Sequence, residues 1–358
     1  MPNKIQHIIK LLLILFCFSW TFCAKSQNLP RVIILSTGGT IAGQQPNADK
    51  ADYISGKIPI EELLKNIPSI TQKATVQGEQ IAAIPSSEIT IDIWLKLAKR
   101  INEIFANDEA DGIVITHGTD TQEETAYFLS LTVKSDKPVV LTASMRPATA
   151  LSSDGSKNLY DAIIVASDAN SKGKGVMVSF NEKIFDAKDV VKVNTTSTNA
   201  FASPNNGPIG EVYDGKVSYN IQSYNRNSGF TPFDISKIDS LHKVEIVFSY
   251  ADASNIAINA LINDNTPGII IAGTGAGSFS KAILESARDA TKRNIIVVRS
   301  SRVVSGKVPT VHIGEFEDAK NGTIVSESLN PQKARILLML ALTITKDKDK
   351  IQEMFLTF

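Results

Sequence analysis

The stretch "RVIILSTGGTIAG", Arg31 to Gly43, decides how this chain is read. A short run rich in β-branched residues ends in Ser36, Thr37, Gly38, Gly39 and Thr40. Such runs suit strands buried on both faces, and glycines let the chain turn sharply at the strand end. A turn needs the glycines, but it does not need three hydroxyls. The same design returns in "GIVITHGTDTQEE", Gly112 to Glu124, where a second apolar run meets Thr119, Asp120 and Thr121.

Working outward, the chain alternates strands with helices. Strand candidates are "RVIILS", "KATVQGEQIA", "GIVITH", "PVVLTA", "AIIVAS", "GVMVSFN", "VEIVFSY", "GIIIAG" and "NIIVVRS". Helical patterns lie in "IPIEELLKNI", "TIDIWLKLAKRINEIFA", "TQEETAYFLSLTV", "SKAILESARDATKR" and "NPQKARILLMLALTIT". This alternation predicts an α/β fold: a larger N-terminal α/β domain with a mostly parallel sheet, and a smaller C-terminal α/β domain. The polar stretch 219–241 reads as the linker between residues 27–218 and residues 242–358. Open sheets of this kind bind ligands beyond the carboxyl ends of their strands, and both threonine turns lie at such ends.

Residues 1–26 differ from the rest. Lys4, His7 and Lys10 precede the apolar "LLLILFCFSW", and small residues Ala24 and Ser26 precede Gln27. This is the layout of a cleaved signal peptide; a lipid-anchored reading through Cys23 lacks the usual small-residue context. Both cysteines, Cys17 and Cys23, lie in that segment. The mature chain is therefore expected to use no disulfide, thiol or cysteine–metal chemistry. Removing Lys4, Lys10 and Lys25 changes 37 basic against 37 acidic residues to 34 against 37. A net charge of about −3 offers nothing to nucleic acid or to an anionic membrane.

The residues of the turns admit a bland and a functional reading. Thr119, Asp120 and Thr121 could merely cap a helix, and the first turn could be a plain βα connection. His117 reads as a packed, hydrogen-bonded histidine rather than a base. Lys188 and Lys192, in "DAKDVVKVNTTSTNAF", could be surface lysines, or one could be a desolvated base. Taken functionally, a threonine hydroxyl needs a base and an oxyanion site, a kit that suits acyl transfer. The phosphate-loop, G-x-S-x-G and H-E-x-x-H patterns are absent, so the sequence implies no metal and no cofactor. The loop "AGTGAGSFSKA", Ala272 to Ala282, lacks nucleotide-binding spacing and reads as a helix start. A solute-binding protein and an amidase for another amide are the competing readings.

"ILSTGGTIAG", "DGIVITHGTDTQEETAYFL", "KPVVLTASMRP", "DGSKNLYDAI", "KDVVKVNTTSTNAF" and "VVRSSRV" occur in this order. From about Leu29 to the C-terminus the chain resembles bacterial type II L-asparaginases, exported amidohydrolases of the asparaginase/glutaminase family. The resemblance implies hydrolysis of L-asparagine, and some of L-glutamine, through a threonyl ester on Thr40. It makes Tyr53 a lid residue paired with Glu315. It places Thr119 and Lys192 as the second catalytic cluster, and Asp120 as the holder of the substrate ammonium. Ser86 would bind the α-carboxylate, with Ser87 standing where the family usually has Gln or Glu. Ser144 falls where a backbone carbonyl meets the side-chain amide. Asp252, where relatives carry Asn or Ser, would reach a neighbouring subunit's site in a homotetramer. Which pair, Tyr53 with Glu315 or Lys192 with Thr119, acts in which step is left open.

Overall fold

The computed structural model describes residues 29–47, 52–220 and 231–358. The expected signal peptide with Cys17 and Cys23, and residues 221–230 of the expected linker, lie outside the described residues.

The stretch from Arg31 forms strand β1, Arg31–Gly38, with every residue after Arg31 buried. It runs parallel to β2, Thr75–Ile84, on one side and to β3, Gly112–Thr116, on the other. Beyond β3 come β4, Val139–Thr142, and β5, Val176–Phe180, both parallel. The order 2-1-3-4-5 therefore reverses direction between β1 and β3, which makes the carboxyl ends of those two strands a topological switch point. The sheet is completed to eight strands by antiparallel additions: β6, Lys183–Asp186, then β9, Gly210–Tyr213, and β10, Lys216–Tyr219. A separate ribbon pairs β7, Val191–Lys192, with β8, Phe201–Ala202. The second sheet is wholly parallel: β11, Val244–Phe248; β12, Gly268–Gly273; β13, Ile296–Ser301; β14, Ile324–Val325.

Nine helices lie among the described residues. They are α1, Ile60–Lys65; α2, Ile91–Ala106; α3, Gln122–Thr132; α4, Gly155–Ser167; α5, Ile256–Asn263; α6, Lys281–Lys292; α7, Asp318–Asn321; α8, Pro331–Ala341; and α9, Lys348–Thr357. Side-chain oxygens of Thr90, Ser280 and Asn330 accept the first free amides of α2, α6 and α8, which fixes where those helices begin. One expectation fails. "AIIVAS" is not a strand but the last turns of α4. Its β-branched residues continue the helical series Leu159, Ala162, Ile163, Ala166 against the large sheet, and burial overrides their strand preference.

Helices α1 and α4 cover one face of the large sheet. Helices α2 and α3 cover the other, where α3 also meets α8 of the second domain. One apolar core thus runs from Leu35 and Ile115 through Phe128 to Leu338 and Phe355. Helix α3 is buried nearly all round because a sheet lies on one side of it and a helix on the other. Among the described residues no helix is long and apolar enough to cross a membrane.

Candidate active site

The first turn is shaped by close backbone packing. Gly38 and Gly39 have φ of +108° and +77°. A Cβ on Gly39 would fall 2.4 Å from the Gly118 nitrogen and 2.5 Å from its Cα. The two turns therefore touch glycine to glycine, and the residues that follow the contact are Thr40 and Thr119. Thr37 serves a different purpose. Its hydroxyl donates to the Thr116 carbonyl at 3.0 Å and ties β1 to β3. That accounts for a second threonine in the turn.

Thr40 is buried and opens a short helical turn. Its Oγ lies 2.7 Å from the hydroxyl of Tyr53. Tyr53 reaches it because the chain folds back through a paired bridge between Gln44 and Ile54, with both N–H···O bonds near 3.0 Å. The Tyr53 ring lies against Gly43, where a Cβ would come within 2.8 Å of Cδ2. Tyr53 remains 39% exposed, so the Thr40–Tyr53 pair stands at the mouth of the site.

The second turn carries its own cluster. Lys192 Nζ donates to Thr119 Oγ at 2.9 Å and to Asp120 Oδ1 at 2.6 Å. Ser86 follows β2 and is packed on this turn: its Oγ accepts from the Asp120 amide at 3.2 Å and its carbonyl accepts from the Thr121 hydroxyl at 2.8 Å. A Cβ on Gly118 would strike the Ser86 Oγ at 2.5 Å, so this turn too depends on glycine. Ser87 is exposed beside it. Ser144 lies just past β4, at the same edge of the sheet, with its hydroxyl donating to the Arg146 carbonyl at 2.7 Å.

His117 is fully buried. Thr125 Oγ accepts the Trp94 indole N–H at 2.8 Å, and because His117 Nδ1 faces a carbonyl, the Thr125 hydroxyl donates to His117 Nε2 at 2.9 Å. The remaining ring N–H, on Nδ1, donates to the Gly118 carbonyl at 2.7 Å. Burial pushes the imidazole down to about 4, so it is neutral and pins the turn in place. The structural reading of His117 holds.

Two expected residues stand apart. Asp252 follows β11 and Glu315 lies between β13 and α7; both are exposed. Among the described residues neither is hydrogen-bonded or ion-paired to the threonine cluster. The residues that sequence reasoning missed are Glu123, Asn330 and Lys333. Glu123 accepts the Lys192 backbone amide at 2.6 Å and Asn330 Nδ2 at 3.0 Å. "LNPQKAR" carried a signal for one of them: Asn before Pro marks a helix cap.

Comparisons with known proteins bear on this arrangement. Residues 31–225 match the model of the asparaginase N-terminal domain, and residues 243–355 match that of the glutaminase/asparaginase C-terminal domain. The chain belongs to the asparaginase family. It is 46% identical to L-asparaginase 2 of Escherichia coli, over 93% of this chain and 95% of that one. It is also 46% identical to a probable periplasmic L-asparaginase of Haemophilus influenzae, over 94% and 95% of the two chains. The crystal structure of a probable cytoplasmic L-asparaginase from Campylobacter jejuni superposes with a TM-score of 0.88 at 48% identity, covering 92% of this chain and all of that one. These asparaginase relatives span both domains, so the family assignment covers the large sheet with its threonine turns and the small sheet with Asp252 and Glu315.

Proposed function

We infer that this protein hydrolyses the side-chain amide of L-asparagine to L-aspartate and ammonia. The observation that carries the reading is the pair Thr40–Tyr53, at 2.7 Å, set beside Thr119–Lys192, at 2.9 Å, across one glycine contact. Thr40 Oγ attacks the amide carbon. Its proton passes to the Tyr53 oxygen and on to the leaving nitrogen, so ammonia departs and a threonyl ester remains. Water then adds to the ester, with Thr119 and Lys192 holding it; L-aspartate leaves and the Thr40 hydroxyl is restored. The Thr119 amide stabilises the oxyanion of both steps, a contribution of a few kcal/mol. Asp120 holds the α-ammonium, Ser86 the α-carboxylate, and the Ser144 region the side-chain amide.

Asp252 and Glu315 complete a neighbouring copy's site in a homotetramer. Phe248, Tyr250 and Ile256, exposed by 53%, 55% and 75%, flank Asp252 in the chain and offer the apolar surface such a contact needs. L-glutamine is the second amide to compare, because the short Ser87 removes one polar contact at the carboxylate end. Residues 1–26 are removed on export to the periplasm or beyond, as their charged-then-apolar pattern and the periplasmic relative suggest. Residues 27–218 and 242–358 are the two domains, with 219–241 as the linker.

The test is ammonia release by the protein from Gln27 onward, with L-asparagine and L-glutamine in parallel. Thr40→Ala should lower turnover by at least about 10³-fold while leaving asparagine binding measurable. Near-normal turnover in Thr40→Ala would remove Thr40 as the nucleophile. Comparable rates on both amides would make the protein a glutaminase–asparaginase.

A further inference from the structure

Lys192 stands on a segment that the large sheet does not hold. Its strand, β7, is two residues long and pairs only with the equally short β8. The other edge of residues 188–192 offers two carbonyls and one amide, from Lys188, Val190 and Lys192. All three are taken by side chains from elsewhere. The Lys333 Nζ donates to the Lys188 carbonyl at 2.9 Å and to the Val190 carbonyl at 2.5 Å. The Glu123 carboxylate accepts the Lys192 amide at 2.6 Å through one oxygen and Asn330 Nδ2 at 3.0 Å through the other. Asn330 is fixed in turn, because its Oδ1 caps α8 by accepting the Lys333 amide at 3.0 Å.

Lys333 is 1% exposed and Glu123 is 5% exposed. Burial pulls the Lys333 ammonium below its ordinary range, against the opposing pull of Glu123, Asp189, Asp186 and Glu124. A buried charge is kept only where its bonds are made in full. Here those bonds converge on the backbone of one short segment. No step of the proposed reaction uses Lys333, Asn330 or Glu123, and none of the three is bonded to Thr40, Thr119 or Asp120.

We propose that Glu123, Asn330 and Lys333 are positioning residues for Lys192: a clamp from the first turns of α3 and α8 that sets where the Lys192 ammonium meets Thr119 and Asp120. The smaller domain thereby controls the chemistry of the larger one within the same chain. This rests on the catalytic role given to Lys192 above. Both neighbours of Glu123 are donors, and each takes one of its two carboxyl oxygens. In Glu123→Gln the amide group would set an N–H against one of them, and Asn330 cannot reverse without uncapping α8.

The test is a double-mutant cycle on the purified mature protein, read as kcat/KM for L-asparagine. Glu123→Gln and Lys333→Met should each lower it by at least about ten-fold in the native background. In a Lys192→Met background each should change it by less than about two-fold, because the group they position is gone. Equal losses in both backgrounds, or no loss in the native one, would overturn the clamp. A crystal structure of Glu123→Gln tests the same point without turnover. Displacement of Lys192 Nζ from Thr119 Oγ is expected, and an unmoved 2.9 Å contact would overturn it. A Lys192→Met protein with native turnover would instead refute the catalytic role of Lys192.

Discussion

Replacing Gly39 by Ala should separate the two threonine turns. The added Cβ would lie 2.4 Å from the Gly118 nitrogen, 2.5 Å from its Cα and 2.6 Å from the His117 carbonyl carbon. Ordinary contact begins near 3.4 Å, so one turn must retreat by about 1 Å. All three atoms are backbone, and His117 pins that backbone through its bond to the Gly118 carbonyl. Gly39 also has φ +77° and ψ −176°, a region that residues with a Cβ enter at about 1–3 kcal/mol. Overpacking adds about 1–3 kcal/mol, for a total of about 2–6 kcal/mol. A misplacement of about 1 Å between reacting groups costs on the order of 100-fold in rate. The assay is kcat/KM for ammonia release together with urea unfolding. Gly207→Ala is the internal control: φ is +73° but a Cβ there meets nothing within 4 Å. It should cost about 1 kcal/mol and leave kcat/KM unchanged. If Gly39→Ala unfolds like Gly207→Ala and keeps kcat/KM within about three-fold, the contact between the turns does not set the site's geometry.

His117→Gln should flatten the acid side of the stability–pH curve. The folded imidazole titrates near 4 against 6.5 when unfolded, so only the unfolded chain takes up its proton between those values. The stability that depends on a neutral His117 is complete above pH 6.5 and is lost as pH falls toward 4, by roughly 3 kcal/mol. A native-like acid slope in the variant would show that another group titrates there. Arg299→Ala should destabilise the protein by about 3–5 kcal/mol in urea unfolding, because it strands the buried Asp318 carboxylate. Asp318 takes two guanidinium bonds at 2.8 and 2.9 Å, and also the Val311 amide and the Thr323 hydroxyl. A loss below about 1 kcal/mol would mean that water or a neighbour replaces the arginine.

The sequence reveals local features well and distant ones poorly. The strand-to-turn change at Gly38 and Gly39 and the caps Thr90, Ser280 and Asn330 are written in adjacent residues, so β1, α2, α6 and α8 could be read directly. The "AIIVAS" segment could not, because a helix buried against a sheet uses the same β-branched residues as a strand. The hairpin strands β6, β9 and β10 and the helices α5 and α9 escaped notice, being short or weakly patterned. At the site, Thr40, Tyr53, Ser86, Thr119, Asp120 and Lys192 gather at one sheet edge from motifs visible as quoted words. Nothing in the adjacent sequence distinguishes Glu123 or Lys333 from other charged residues. Their burial depends on partners far along the chain: 207 residues separate Glu123 from Asn330.

That separation also acts in time. Helix α3 stands at the centre of the larger domain, yet one of its faces packs against α8, near the chain's end. While the chain is being made, the larger domain holds all its own strands but not the surface that closes its core. Contacts this distant in sequence form late and slowly. The core of the larger domain is therefore completed only when the last helices of the chain have been made.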